Sequence, residues 1–449
     1  MNKIQKAWAM YDWSNSAYNL VITSTIFPAY YKAVSPEKIQ IGNHSLSNNV
    51  VFDYTLAFAY LLIALMSPIL SSMADVGGNK KRYMQFFTYI GSIACMGLFY
   101  FTDTHFWWGI SCFAIAAIGF CGSLVFYNAY LPEIASKQEQ DSLSALGFTY
   151  GYIGSVLLQI ICLTFIMMPS FWHIPNEGLA SRISFFLVGV WWLSFSKIPF
   201  RLLPKATPSL EHTQTKSSIW KQGFNELKKV LEIFKKMPVL KNYLAGFFFY
   251  SLGVQTVMLA ATLFATSEIT KSNGQKLGMQ ELIIIILIIQ LVAIVGATLI
   301  SKLSISIGNI KSLMIAVIIW IGVCIGAYNT HHEIAFYCLA AVVGLIMGGI
   351  QSLSRSTYSK LMPATQDTSS FFSFYDVSEK IAIVIGMFAF GFIEHITGSM
   401  RNSILLLILF FFIGFVNRFR IKFRFIISVY NSSCRLSTCK SGFCKFSMN

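Results

Sequence analysis

Five charged side chains sit inside otherwise apolar stretches of this chain: Asp12, Arg355, Asp376, Glu379 and Lys380. A charge in an apolar stretch is costly unless it is paired or faces water. Asp376 and Lys380 are four residues apart and share one helix face. Two kinds of chemistry suit such a set. A carboxylate in a low-dielectric cavity can take up a proton and so couple a solute to a proton gradient. Alternatively, opposite charges can pair to close a mouth and part to open it. All five fall by depth in the third of the apolar layer nearer the amino-terminal side. Gating is therefore preferred over proton coupling.

Polar residues also recur at helical spacing on four stretches. They are Asp12, Asn15, Asn19 and Thr23; Tyr152, Ser155 and Gln159; Ser251, Gln255, Met258 and Thr262; and Gln351, Arg355, Tyr358 and Met362. Residues three or four apart share a face. Any single Ser, Thr or Gln is explained well enough by hydrogen bonding between helices. Four stripes on four helices instead predict a shared cavity. Amides, hydroxyls and aromatic rings around water suit a small polar or amphipathic solute. The expected cavity residues are Asn15, Asn19, Tyr127, Tyr152, Gln159, Ser251, Gln255 and Gln351. The expected gate or coupling residues are Asp12, Asp75, Arg355, Asp376, Glu379 and Lys380. The seven histidines are scattered and no phosphate-binding Gly-x-x-x-x-Gly-Lys-Ser/Thr loop occurs. No enzyme activity, cofactor or metal is expected.

The elements that must hold these residues are set by composition. Of 449 residues, 55% are hydrophobic and 12% charged, against about 25% charged in soluble domains. The apolar residues come in blocks of about 20, long enough to cross a ~30 Å hydrocarbon layer as helices. Several, such as Ile283–Val295, are apolar all round. Twelve spans are expected, at 7–31, 51–73, 83–102, 106–131, 143–168, 182–203, 241–266, 281–303, 312–329, 333–358, 371–396 and 402–420. The first block carries Asp12, Asn15 and Asn19 and no small-residue cleavage site follows it, so it is expected to stay as a span.

The net charge of +15 does not point to nucleic acid, because the basic residues cluster in particular loops. With both termini cytoplasmic, inside segments and span ends hold 27 of the 34 Lys and Arg and the outside ones hold 6. That asymmetry orients the chain. The expected setting is a cytoplasmic membrane, with lipid and a small solute, alone or with H+ or another ion, as partners. A monomer is expected. Six cysteines lie singly in apolar blocks, as small hydrophobes do. Cys434, Cys439 and Cys444 lie in a basic tail with no zinc-like spacing.

The segment from Ser217 to Lys236 reads as a basic amphipathic helix, with Ile219, Phe224, Leu227, Val230, Leu231 and Phe234 against Lys221, Lys228, Lys229, Lys235 and Lys236. Such a helix can lie on an anionic leaflet, and it falls in a linker at 204–240. Two short echoes suggest a repeat across that linker. Tyr127 and Tyr358 each stand five residues before a proline, Pro132 and Pro363. Gly78 and Lys81 are matched by Gly308 and Lys311. The expected organisation is two six-helix halves, 1–203 and 241–420, followed by a basic tail at 421–449. The twelfth span has only a short apolar run, Ser403–Val416, before Arg418, Arg420, Lys422 and Arg424. The two readings are a short helix whose arginines snorkel and a reading-frame change near 417.

The loop Ser71-Ser72-Met73-Ala74-Asp75-Val76-Gly77-Gly78-Asn79-Lys80-Lys81 resembles the signature loop of the major facilitator superfamily. Ser71, Val76 and Asn79 depart from that pattern. A glycine there allows a sharp turn, and a carboxylate beside a helix N-terminus is stabilised by the dipole. Further segments resemble the vacuole-effluxer-like branch of that superfamily: Tyr11–Tyr18, Phe126–Glu133, Gly151–Ser155, Phe248–Val257 and Gly348–Ser356. The resemblance spans about residues 5 to 416. It implies an all-α integral membrane bundle of twelve helices and a secondary transporter working by alternating access. Amino acids or similar solutes are its leading substrate class. Transport of sugars, drugs or other metabolites on the same fold, and a non-transporting sensor or scaffold, are the alternatives.

Overall fold

In the computed structural model, residues 1–41, 44–205, 219–271 and 274–417 are described. The basic tail and the reading-frame question lie outside them, as does part of the linker.

The first expected span is one helical run with a change of pitch inside it. Helix α1 (Lys3–Ala17) passes into a π-helical stretch, Tyr18–Thr25, and then α2 (Ile26–Val34). Asn2 starts α1 with a reciprocal cap: its side chain accepts from the Gln5 amide and the Gln5 side chain accepts from the Asn2 amide. In the π-helical stretch, hydroxyls take up loosened carbonyls. Ser24 Oγ donates to Asn19 O at 2.9 Å and Thr25 Oγ1 to Leu20 O at 2.7 Å. A short hairpin, β1 (Lys38–Ile41) and β2 (His44–Ser47), leads to α3 (Asn48–Val76).

Next come α4 (Lys80–Gly97), α5 (Phe106–Ala129), a single turn α6 (Leu131–Ile134), α7 (Gln140–Met167) and α8 (Glu177–Leu202). Beyond the linker stands the amphipathic helix α9 (Ile219–Lys235). It is followed by α10 (Pro238–Glu268), α11 (Met279–Ile307), α12 (Asn309–Asn329), α13 (Glu333–Leu361), α14 (Thr368–Thr397) and α15 (Met400–Asn417).

Ten helices among the described residues are long and apolar enough to cross a membrane. The other two expected spans are helical but fall short on that measure. The first is interrupted by its π-helical stretch. The third, α4, has only 18 residues and opens on Lys80, Lys81 and Arg82. Large apolar side chains are exposed on the bundle outside its cavities, such as Leu65 and Ile318, as lipid allows. Gly78 and Gly308 have φ of 61° and 89°, so each turn uses the left-handed backbone that glycine adopts without strain.

The apolar cores divide along the chain. Two clusters use only residues before 204. The third uses residues from Val230 onward, with Ala129 and Tyr152 added. Small residues then bring helices close where polar groups must meet. A methyl group at Gly344 or Gly348 would strike the Ile289 or Ala293 carbonyl, so α13 rides directly on α11. On α7, Gly151 and Gly154 lie under Ser16 and Trp13 of α1.

Candidate functional site

The polar stripes meet in a pocket of about 190 Å³ in the middle of the bundle. Asp12 and Asn15 of α1, Asn19 of the π-helical stretch, Tyr152 of α7, Gln255 of α10, Gln351 and Arg355 of α13, and Glu379 and Lys380 of α14 line it. Tyr60, Ser155 and Gln290 line it as well. The pocket shares Thr23, Tyr60, Met258 and Gln290 with a wider, largely apolar cavity of about 1240 Å³. That cavity extends to Lys32, Asn49, His395 and Met400, at helix ends on the face opposite the chain's amino terminus.

Three expected wall residues lie outside both linings. Tyr127 is wholly buried; its ring stacks on Trp8 at 4.4 Å and its hydroxyl donates to Asp12 at 2.7 Å. It stands behind the wall and steadies Asp12. Gln159 lies two turns beyond Tyr152 on α7, where its Oε1 accepts from Thr25 Oγ1 at 3.0 Å. Ser251 is buried one turn from Gln255, toward the amino-terminal face.

Toward that face the pocket ends on Asp12 and Arg355, both nearly inaccessible. Nη1 and Nη2 of Arg355 each donate to Asp12 Oδ2 at 3.3 Å. Nε donates to Ser144 Oγ at 2.9 Å, Nη2 to Ser144 O at 3.0 Å and Nη1 to Asn128 Oδ1 at 3.3 Å. All five N–H donors of the guanidinium therefore have acceptors. The cation also lies 4.4 Å from the Phe148 ring centroid and 4.8 Å from that of Trp8. Gly147 makes room: a methyl group there would sit 2.6 Å from Asp12 Oδ2. Beside the pair, Tyr152 OH donates to Gln351 Oε1 at 3.0 Å and Ser144 Oγ to Ser352 O at 2.7 Å. These bonds join residues before 204 to residues after 240.

The acid–base trio of α14 is arranged differently. Lys380 Nζ lies 3.5 Å from Asp376 Oδ1 and 3.1 Å from Glu379 Oε2, and Gln255 Nε2 donates to Glu379 Oε1 at 3.0 Å. Asp376 is outside the pocket lining, behind Lys380. All these contacts are among residues after 240, so opening the amino-terminal face need not break them. The five charges are thus two groups, not one mouth.

A second layer lies closer to the amino-terminal face. The Asp75 carboxylate, at the end of α3, receives the backbone N–H groups of Ser369 at 3.3 Å and Ser370 at 2.7 Å, and the Ser370 hydroxyl at 2.7 Å. Those amides are the open first turn of α14, the place where a helix favours a negative charge. Lys80 pairs with Glu133, which also accepts from Thr368 Oγ1 at 2.7 Å. A matching cluster joins α7 to α11, α12 and α13. Asp141 meets Lys360 Nζ at 2.5 Å, Asn309 Nδ2 at 2.8 Å and Ser304 Oγ at 3.0 Å.

Sequence reasoning passed over Asp141, Lys360, Asn309, Lys80 and Glu133, which the fold brings into these contacts near the amino-terminal face. The signal was available in the repeat. Asn309 follows Gly308, the counterpart of Gly78, and Lys360 stands between Tyr358 and Pro363 as the second half's echo of the segment that ends span four. No group of three or more His, Cys, Asp and Glu side chains with metal-binding geometry occurs among the described residues.

A bundle of membrane-crossing helices with a central polar pocket, reached from one face and sealed toward the other, is the architecture of a membrane transporter. Solved structures show which fold this bundle has. The E. coli fucose:proton symporter matches with a TM-score of 0.67 at 13% identity, over 93% of this chain and 97% of that one. A bacterial homologue of the iron transporter ferroportin matches at 0.63 and 11%, over 94% and 98%. The fold is that of the major facilitator superfamily. Within it, residues 1–424 match the vacuole effluxer Atg22-like family, and the chain belongs to that family. The MFS-type transporter YxiO of Bacillus subtilis is 30% identical over 421 residues, 92% of this chain and 94% of the relative. Autophagy-related protein 22 of Saccharomyces cerevisiae is 22% identical over 474 residues, 89% of this chain and 87% of the relative.

Proposed function

We propose that this transporter carries a small zwitterion, with amino acids the leading class, by alternating access. The observation that carries the reading is the mixed charge of the central pocket. Lys380 and Glu379 stand on its wall among the amides of Asn15, Asn19, Gln255 and Gln351, above the floor formed by the paired Asp12 and Arg355. A solute bearing a carboxylate and an ammonium finds partners of both signs there, and the amides orient it. The wide cavity provides one route of access. The Asp12–Arg355 pair and the layer of Asp75, Lys80, Glu133, Asp141 and Lys360 close the other.

In this reading the chain crosses a cytoplasmic membrane twelve times with both termini inside, as a monomer. Residues 1–203 and 241–420 form two halves that rock about the pocket, with 204–240 as the linker. Glu379 is the coupling candidate, since it lines the pocket beside Lys380 and holds Gln255. Asp12 and Arg355 are the inner gate. The four amides also suit a polyol, and a sugar is the second reading.

The test is uptake into proteoliposomes from a panel of amino acids and sugars, with and without a pH gradient. Saturable amino-acid flux abolished by Glu379→Gln together with Gln351→Ala supports the proposal. Flux of sugars alone replaces the substrate class, and no flux across the panel favours a sensor or scaffold.

A further inference from the structure

Helix α9 has two faces, and the structure uses only one of them. Gly223, Glu226 and Val230 are buried. Ser72 Oγ donates to Gly223 O at 2.6 Å, and the absent side chain of Gly223 lets α9 lie against Met73. Farther along, the Phe234 ring packs 5.2 Å from that of Phe374 on α14. Met73 and Ser72 lie two and three residues before Asp75, and Phe374 follows Ser370 by one turn. The helix therefore grips both partners of the Asp75 latch.

The other face carries Lys221, Phe224, Lys228, Leu231 and Lys235, all exposed and spaced three and four residues apart on one stripe. Phe224 is 59% exposed, a poor position for a ring in water. None of the three lysines joins an ion pair among the described residues. Aromatic and aliphatic groups interleaved with lysine suit a headgroup layer, where the rings enter the acyl boundary and the cations meet phosphates. The occupant is adjacent by necessity, because α9 packs on membrane-crossing helices at their ends.

We propose that α9 is a lipid-reading clasp. Its Lys221–Phe224–Lys228–Leu231–Lys235 stripe binds anionic headgroups of the membrane that holds the protein. Anionic lipid thereby favours the state in which Asp75 latches α14. The inference goes beyond the transport reading and does not depend on the solute.

Hydrogen–deuterium exchange of the full chain tests it, in nanodiscs of phosphatidylcholine alone and with added phosphatidylglycerol. Anionic lipid is expected to slow exchange over 219–235 and in the first turn of α14 by roughly tenfold. The variant Lys221→Gln/Lys228→Gln/Lys235→Gln is expected to lose that dependence while melting in detergent as the parent does. Phe224→Ser/Leu231→Ser should lose most of it too. Equal exchange in both bilayers, or slowing that survives in the triple variant, overturns the proposal. Slowing reproduced in phosphatidylcholine by soluble glycerol phosphate makes the ligand a free anion and overturns the lipid assignment. Slowing confined to 219–235 overturns the link to the latch.

Discussion

Asp12 and Arg355 lie 343 residues apart in sequence and 3.3 Å apart in space. They join the first membrane helix to α13 across the floor of the pocket, out of water and with every guanidinium donor used. Breaking a buried pair by removing one partner costs about 3–5 kcal/mol, because the other charge is left uncompensated. In the proposed cycle, opening the amino-terminal face parts this pair, and each charge then needs replacement partners.

Arg355→Gln is expected to open that face and to lower transport at least ~10-fold, given that energetic scale. A cysteine introduced at Ser144 should become reactive to a membrane-impermeant maleimide from the amino-terminal side. Asp12→Asn should do the same more weakly, since the Tyr127 hydroxyl keeps an acceptor. In the double variant the two effects should add to less than their sum. Strict additivity in the labelling rates would mean that the residues do not act as a pair.

Gly147→Ala tests the same contact through space alone. The new methyl group meets Asp12 Oδ2 at 2.6 Å, and Tyr127 OH and Arg355 Nη2 at 3.0 Å. Disturbing these buried hydrogen bonds should cost about 1–3 kcal/mol. Gly322→Ala, with no atom within 4 Å of the added carbon, is the control and should melt like the parent. Equal melting of the two variants would contradict this account.

Asp75→Asn removes the charge facing the α14 N-terminus and should weaken the latch by about 0.5–2 kcal/mol. Ser370→Ala removes one of the three donors and should have a smaller effect in the same direction. Spin labels on the carboxy-terminal end of α3 and the amino-terminal end of α14 should report a larger open fraction for both, in that order. No change in either distance distribution would remove Asp75 from the gate.

The ion pair of Asp141 and Lys360 joins α7 to α13 at 2.5 Å and is only partly exposed. Asp141→Lys should impair transport and Lys360→Asp likewise. The combined exchange should recover a measurable part of it, since the attraction is restored with its sign reversed. Failure to recover would mean that Asn309 and Ser304, which were placed to meet a carboxylate, dominate the cluster.

Much of this was legible in residue order. Period and length marked the helices, because lipid forces each crossing segment to satisfy its own backbone and to be apolar all round. The stripes of Asn15, Gln255 and Gln351 announced a cavity, because polar groups at that depth need one. The Asp75 loop announced a carboxylate beside a helix N-terminus, and the structure supplies that helix as α14. Sequence placed the stripes on helices, but it could not decide which members reach the water. Tyr127, Gln159 and Ser251 share helices with pocket residues and yet lie outside its lining. That depends on how far each helix is rotated and how closely it approaches its neighbours. Gly147, Gly151, Gly344 and Gly348 set those approaches through contacts far away in the chain. The pairing of charges was decided in the same way. A carboxylate does not encode its partner, so Asp12 with Arg355 and Asp141 with Lys360 exist only once the packed helices bring them within reach.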